Sequence, residues 1–366
     1  METWPESKQF YPFVTRMLLE LATTGVLTEV SRIEVEPQFG FVSRINYLDG
    51  SVRLTRGGDV GFNSSAVNAV LSDKVYTKYL LGRSGFRSPD GRPFLLPWWA
   101  ETIRNSLSSR GYLQELHTTA DAPRYVEQEL HYPVYVKPAD GSRGTGVHRC
   151  EDRGALVAAC TALDSPRHKL VVVEEAIAWP DYRLVVLDGA VISAYRRDRL
   201  AIVGTGTATV AELAQAHLAE EIRNGRSVRI DLQDPRILAA LSHTGLDLQS
   251  TPAHGRRVEL LPISNLSAGG TAVDVGVAVD GRWTRLAIDI ADALGAVLCG
   301  VDLACEDITA ADAGYCVIEV NGSPGLDNYA QVGPAQAKVV RDLYTVIFNT
   351  SPQSSRDRRG AARHTL

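Results

Sequence analysis

Two short segments near the carboxyl end constrain this chain more than any other. They are Gly300-Val-Asp-Leu-Ala-Cys and, a short loop later, Tyr315-Cys-Val-Ile-Glu-Val-Asn-Gly-Ser-Pro. Both read as strands of one hairpin. Pairing Asp302 with Glu319 sets Gly300 opposite Asn321 and Cys305 opposite Cys316. Side chains alternate along a strand, so Asp302, Glu319 and Asn321 share one face. Val301, Leu303, Cys305, Cys316, Ile318 and Val320 form an apolar underside, and Gly300 leaves open space beside Asn321. The Gly-Ser-Pro-Gly at 322–325 is a turn signal that ends the second strand. Two carboxylates and an amide are hard oxygen donors that suit Mg²⁺, an ion that keeps few protein ligands and binds together with substrate phosphates. Asp302 alone would be an ordinary polar residue on the wet face of an antiparallel pair. The trio points to a nucleotide enzyme.

The chain has 366 residues, too many for one ordinary core, so two or three lobes are expected. Its 45% hydrophobic and 22% charged residues fit a globular enzyme. A net charge of −5 gives no electrostatic case for nucleic-acid binding. The five cysteines, 150, 160, 299, 305 and 316, form no Cys-x-x-Cys pair and no zinc spacing. With no targeting pattern at the N-terminus, they read as packed thiols in a reducing cytoplasm. No apolar run is long enough to span a bilayer, so no membrane partner is expected. A homodimer is left open, because the helix expected at 334–347 carries apolar residues that fit a plain core equally well. The tail from Ser351 is expected to be disordered.

The periodicities give a helix at 13–22, a strand at 29–35, and a hairpin from Phe41 to Leu54 turning at Asp49-Gly50. A single helix is expected at 66–82, then a helix start between Pro97 and Gly111 and a strand from Tyr132 to Lys137. A helix follows at 152–163, then a buried strand from Leu170 to Glu174. A hairpin turns at Asp188-Gly189. Thr209 and Glu212 make a capping box for a helix reaching Arg223. Residues 225–262 read as short strands and turns, and helices follow at 284–297 and from Pro334. Frequent hairpins without strict βαβ order favour an α+β protein.

Several segments have the chemistry to hold a nucleotide. Val134-Tyr-Val-Lys-Pro runs from a strand into the glycine-rich loop Gly141–Gly146. Its backbone N–H groups around Ser142, Gly144, Thr145 and Gly146 can wrap phosphates, with Lys137 as a point charge. The loop is neither a Walker A sequence nor a dinucleotide fingerprint, and a surface turn would look the same. Glu174, Glu175 and Ile177 end a buried strand that can border a base, and Asp181 can accept from ribose hydroxyls. A solvated strand end is an equal reading. Arg183 and Arg197 lie on the two strands of one hairpin and can fork onto phosphate or carboxylate. Asn265, Ser267 and the N–H groups of Gly269 and Gly270 form a polar turn that can hold an anion or be a plain loop.

Taken in order, these motifs resemble the ATP-grasp superfamily of carboxylate–amine ligases, and in particular the ATP-grasp modules of cyanophycin synthetase and bifunctional glutathione synthetase. The marks are Ser72-Asp-Lys with Lys78, Val136-Lys-Pro, Asp181-Tyr-Arg, Gly204-Thr-Gly with Thr209-Val-Ala-Glu-Leu, Asn265-Leu-Ser-Ala-Gly-Gly, Gly300-Val-Asp-Leu and Ile318-Glu-Val-Asn. The likeness covers about residues 65–345. It implies an ATP-grasp architecture: two α+β lobes clasping ATP (74–180 and 181–349), a short N-terminal α/β domain (1–73) before them and a tail (350–366) after. Lys74 and Lys137 would hold the phosphates, with Lys78 competing for the role of Lys74. Asp302, Glu319 and Asn321 would hold two Mg²⁺ ions, with Mn²⁺ as a substitute. The implied activity joins a small-molecule carboxylate to an amine through an acyl phosphate. A thioester-forming ligase, a small-molecule kinase and a non-catalytic ATP-binding regulator are the alternatives. Gly300 stands where the D-alanine ligase branch has an arginine, which disfavours that branch.

Overall fold

The computed structural model describes residues 4–106, 117–141, 144–226, 228 and 230–354. The chain opens with helix α1 (Phe13–Thr23) and an antiparallel sheet of β1 (Val30–Val35), β2 (Val42–Tyr47) and β3 (Val52–Arg56). Burial alternates along β2 and β3, so Ser43, Ile45 and Tyr47 face in beside Arg53 and Thr55. The period of two puts one face against the core. Two short helices follow, α2 (Ser65–Leu71) and α3 (Lys74–Arg83), where a single helix at 66–82 was expected. The break lies at Ser72-Asp73. The Asp73 carboxylate accepts from the N–H groups of Val75 and Tyr76, so it starts a new helix at Lys74.

The next elements are β4 (Gly91–Leu95), α4 (Pro97–Asn105), α5 (Ala122–Glu129), β5 (Val134–Pro138), β6 (His148–Cys150), α6 (Arg153–Leu163) and β7 (Leu170–Glu175). The expected helix start after Pro97 is α4, and its continuation toward Gly111 lies outside the described residues. The strands make an antiparallel sheet in the order β4-β7-β5-β6. Val171, Val172 and Val173 are buried on both faces of β7, as a continuous apolar run requires.

A second large sheet begins with β8 (Asp181–Leu187) and β9 (Ala190–Asp198), joined at Asp188-Gly189. A smaller unit intervenes: β10 (Ala201–Val203), α7 (Val210–Arg223), α8 (Pro235–His243) and β11 (Arg257–Glu259), with its own core around Leu200, Ile237, Leu241 and Leu260. The Thr209–Glu212 capping box is present. Helix α8 falls where only strands and turns were expected; Asp234 caps it and Pro235 starts it. The chain returns through β12 (Thr271–Asp274), α9 (Gly281–Ala293), β13 (Leu298–Cys305) and β14 (Tyr315–Asn321), in the sheet order β12-β9-β8-β13-β14. Helices α10 (Asp327–Ala330) and α11 (Pro334–Asn349) close the fold, with α11 packed against α1. Ser351 is buried and donates to Asp49 at 2.5 Å, so the ordered chain extends past 350; residues 355–366 lie outside the described residues.

Arg53 ties the first sheet to the end of α11. It donates to the carbonyls of Ile347 (2.7 Å) and Thr350 (2.5 Å) and lies over the Phe62 ring at 4.3 Å. It thereby caps carbonyls that the helix end leaves open. Replacing Arg53 with Met should remove a charged donor from both carbonyls and cost about 2 kcal/mol, read by urea denaturation at unchanged m-value.

Candidate active site

The register of β13 and β14 sets the site. Gly300 pairs with Asn321 and Asp302 with Glu319, as the alternation predicts. Between Asp302 and Leu303 the register then slips: Leu303 pairs with Val317, Ala304 with Cys316 and Cys305 with Tyr315. The expected pairing of Cys305 with Cys316 is therefore wrong. One extra residue, Ile318, is bulged out of the ladder. It leaves the apolar underside and joins the cavity wall, and Cys316 ends opposite Ala304. The open space expected at Gly300 is also filled. A Cβ there would stand 3.1 Å from Pro324 and 3.4 Å from Arg183.

Asp302, Glu319 and Asn321 face a single cavity of about 560 Å³ between the two large sheets. Lys74, Lys137, Arg183 and Arg197 also line it, as do Gly141, Gly144, Thr145, Asp181, Asn265 and Ser267. Asp302 is only 2% exposed. Arg183 donates to both its oxygens at 2.6 Å, Arg197 reaches it at 2.9 Å, and Asn321 donates to it at 3.5 Å. Burial alone would raise the Asp302 carboxyl, but the two guanidiniums outweigh it and hold it below the usual range. Asp181 accepts from Arg197 at 2.7 and 2.9 Å, yet its own burial, with the Asp302 charge nearby, pushes it upward. The Arg197 Nε is buried without an acceptor among the described residues.

Lys74 opens α3, where its N–H donates to the carbonyl of Ala139 at 2.8 Å. Its Nζ donates to Gly141 at 2.5 Å and stands 3.0 Å from Glu319. Lys137, on β5, pairs with Glu174 on β7. Burial would lower the Lys137 ammonium, but Glu174 overrides it and raises it. Lys78, one turn after Lys74, lies 3.6 Å from Glu174 and lines a small adjoining cavity of about 20 Å³ with Lys74, Glu174, Ile318 and Glu319. The two lysines thus divide: Lys74 toward the metal-ligand candidates, Lys78 toward Glu174.

Other expected residues lie elsewhere. Glu175 and Ile177 line neither of these cavities; Glu175 accepts from the Asp90 N–H at 2.9 Å. Gly146 is not on the cavity wall, and Ser142 lies outside the described residues. Gly269 and Gly270 cannot hold an anion through their N–H groups. Those donors are spent on the carbonyls of Leu266 (3.2 Å) and Asn265 (3.0 Å). The two glycines allow a tight turn, which keeps Asn265 and Ser267 on the cavity wall.

Some site residues were not foreseen. Arg236 donates to the carbonyl of Gly144 at 2.7 Å, linking α8 to the glycine-rich loop. Asn63 ties three distant pieces together. Its Oδ1 accepts from Val297 (2.8 Å) and Leu298 (3.1 Å), and its amide donates to Leu298 (2.8 Å), Gly322 (3.0 Å) and Asn68 (2.9 Å). It thereby holds the start of β13 against the residue after Asn321. Nothing in the local sequence around Asn63 marks it, because all its partners but Asn68 lie over 230 residues away.

Two antiparallel sheets enclosing a cavity of lysines, arginines and carboxylates define an ATP-grasp fold. The fold matches the crystal structure of a bifunctional glutathione synthetase from Pasteurella multocida, with TM-score 0.54, 22% identity, and coverage of 91% of this chain and 43% of that one. Residues 256–341 match the family model described as a RimK-like ATP-grasp domain. Its homologues include the glutathione biosynthesis bifunctional protein GshAB of Streptococcus agalactiae serotype V, 29% identical over 89% of this chain and 42% of that protein. They also include the cyanophycin synthetase of Nostoc sp., 28% identical over 72% of this chain and 27% of that protein. The chain thus spans less than half the length of these relatives. No helix among the described residues is long and apolar enough to cross a membrane.

Proposed function

We propose that the protein is an ATP-dependent carboxylate–amine ligase acting on amino acids or small peptides. The observation that carries this reading is the meeting of Asp302, Glu319 and Asn321 with Lys74, Lys137, Arg183 and Arg197 on one cavity wall. Four cations beside two carboxylates and an amide suit a polyphosphate and a carboxylate together.

In the first step a substrate carboxylate oxygen attacks the γ-phosphorus of ATP. The bond to the bridging oxygen breaks, and ADP leaves with its electron pair. In the second step the neutral amine attacks the acyl phosphate carbonyl. The carbon–oxygen bond to phosphorus breaks, and the departing phosphate takes up the proton the amine loses. Lys74 and Lys137 neutralise the phosphates; Arg183 and Arg197 orient the carboxylate and the transferring group. No protein nucleophile is needed. The acyl phosphate must be kept from water, and the Arg236–Gly144 contact keeps the glycine-rich loop packed against the unit around α8. Two carboxylates and an amide on one wall fit Mg²⁺. Asp302, Glu319 and Asn321 would hold it, and when bound it supplies neutralisation of the transferring phosphoryl charge.

The test is mass spectrometry of products after incubation with ATP, Mg²⁺ and pooled amino acids. The expected result is an amide product with equimolar ADP and phosphate, abolished when EDTA removes the metal. ATP binding without turnover, or a stable phosphorylated product without amide, would refute the ligase reading.

A further inference from the structure

The cavity wall beside the N-terminal sheet is built unlike the rest. Gly58 and Asp59 reach it from the turn after β3. Asp59 is held from behind by two neutral donors: the Gly61 N–H to Oδ1 and the Asn68 amide to Oδ2, each at 2.8 Å. Asn68 is anchored in turn by Asn63, the residue that grips β13 and Gly322. The carboxylate is therefore pinned to the strands of the catalytic sheet, and each oxygen keeps accepting capacity for another donor.

Asp59 makes no ion pair among the described residues. Asp181, Asp302 and Glu319, on the same cavity, each meet an arginine or lysine within 3.0 Å. Charge thus divides the cavity. Lys74, Arg183 and Arg197 stand against Asp181, Asp302 and Glu319 and disfavour a monovalent ammonium on that side. An amine substrate arrives at neutral pH as an ammonium ion, which needs a carboxylate the protein has not already neutralised. Asp327 lines the cavity without an ion pair too, but has no comparable pair of donors among the described residues.

Resting on the ligase reading above, we propose that Asp59 receives the ammonium group of the nitrogen-donating substrate. That substrate is then a primary amine that arrives as its cation, gives one proton to the Asp59 carboxylate and attacks as the neutral amine. Asn68 and Asn63 are positioning residues that act through Asp59. The N-terminal domain reads the acceptor, while the two large sheets handle ATP and the carboxylate.

The test separates the two half-reactions. The full chain is incubated with ATP, Mg²⁺ and the common amino acids, with and without hydroxylamine. Hydroxylamine is mostly uncharged at neutral pH and traps acyl phosphates as hydroxamates. Asp59→Asn should raise the KM of the amine about ten- to a hundredfold and lower the ratio of amide to hydroxamate by a similar factor. Asn68→Ala keeps the charge but loosens it, and should move the ratio the same way by a smaller factor; it decides alone if Asp59→Asn does not fold. A parallel fall in amide and hydroxamate would overturn the proposal, as would an unchanged ratio, or a ratio that shifts with Asp327→Asn and not with Asp59→Asn. If the wild-type chain forms neither product, the ligase reading itself fails.

Discussion

Asp302→Asn is expected to slow ADP formation about a thousandfold or more and to destabilise the fold by about 3–5 kcal/mol. The two losses have different origins. Catalytically, the substitution removes one of the two charged oxygen donors of the metal-ligand candidates, so transition-state charge is less well neutralised. Structurally, it leaves Arg183 buried without its bidentate partner, and Arg197 keeps only Asp181. A buried ion pair adds little beyond an apolar replacement, but breaking one strands the surviving charge. Steady-state ADP release and urea denaturation read the two effects. The acid limb of the stability curve supplies a third. The folded-state Asp302 carboxyl is depressed, so its stabilisation is present above the unfolded value of about 4 and fades as pH falls further. The variant should lack that component, and its stability should fall less steeply in acid. A variant with near wild-type turnover would remove the metal assignment.

Glu174→Gln is expected to cost about 3 kcal/mol and to raise the ATP KM at least tenfold. Glu174 is buried between Lys137 and Lys78. Its negative charge offsets the burial of the Lys137 ammonium, which is raised on balance. That contribution is fully present below the unfolded lysine value of about 10.4 and lost only as pH rises beyond it. In the variant burial is opposed only by the smaller effects of Glu319 and Tyr135, so the ammonium gives up its proton more readily. ATP binding should then weaken with rising pH in a range where the wild-type chain is flat. A flat profile in both proteins would mean that Glu174 does not govern the charge of Lys137.

Much of this architecture was legible wherever one physical rule dominated. The hairpin turns at Asp49-Gly50 and Asp188-Gly189, the Thr209 capping box and the valine run of β7 are local signals, and the structure shows each. The shared face of Asp302, Glu319 and Asn321 followed from alternation, since no irregularity lies between Gly300 and Asp302. What could not be read depended on one residue breaking a rule or on contacts far apart in sequence. The bulge at Ile318 has no compositional mark. The break between α2 and α3 was signalled by Asp73, a capping residue overlooked inside a helical pattern. The N–H groups of Gly269 and Gly270 looked free because their acceptors belong to the same tight turn. Asn63, Asn68 and Asp59 carry no motif; their meaning arises when β13 and the Gly322 turn fold onto them.

The extra residue in β14 has a consequence for how this segment can vary. A strict ladder tolerates exchange of side chains but no change in length. Losing Ile318 would close the bulge and keep the flanking pairs, Glu319 with Asp302 and Val317 with Leu303, whereas losing Val320 would shift the ladder by one and turn Asn321 away from the face of Glu319. A deletion of Val320 should therefore abolish turnover, while one at Ile318 should leave the strand pairing in place. Natural and engineered versions of this segment are free to drift in chemistry, but their length is locked between Glu319 and Asn321.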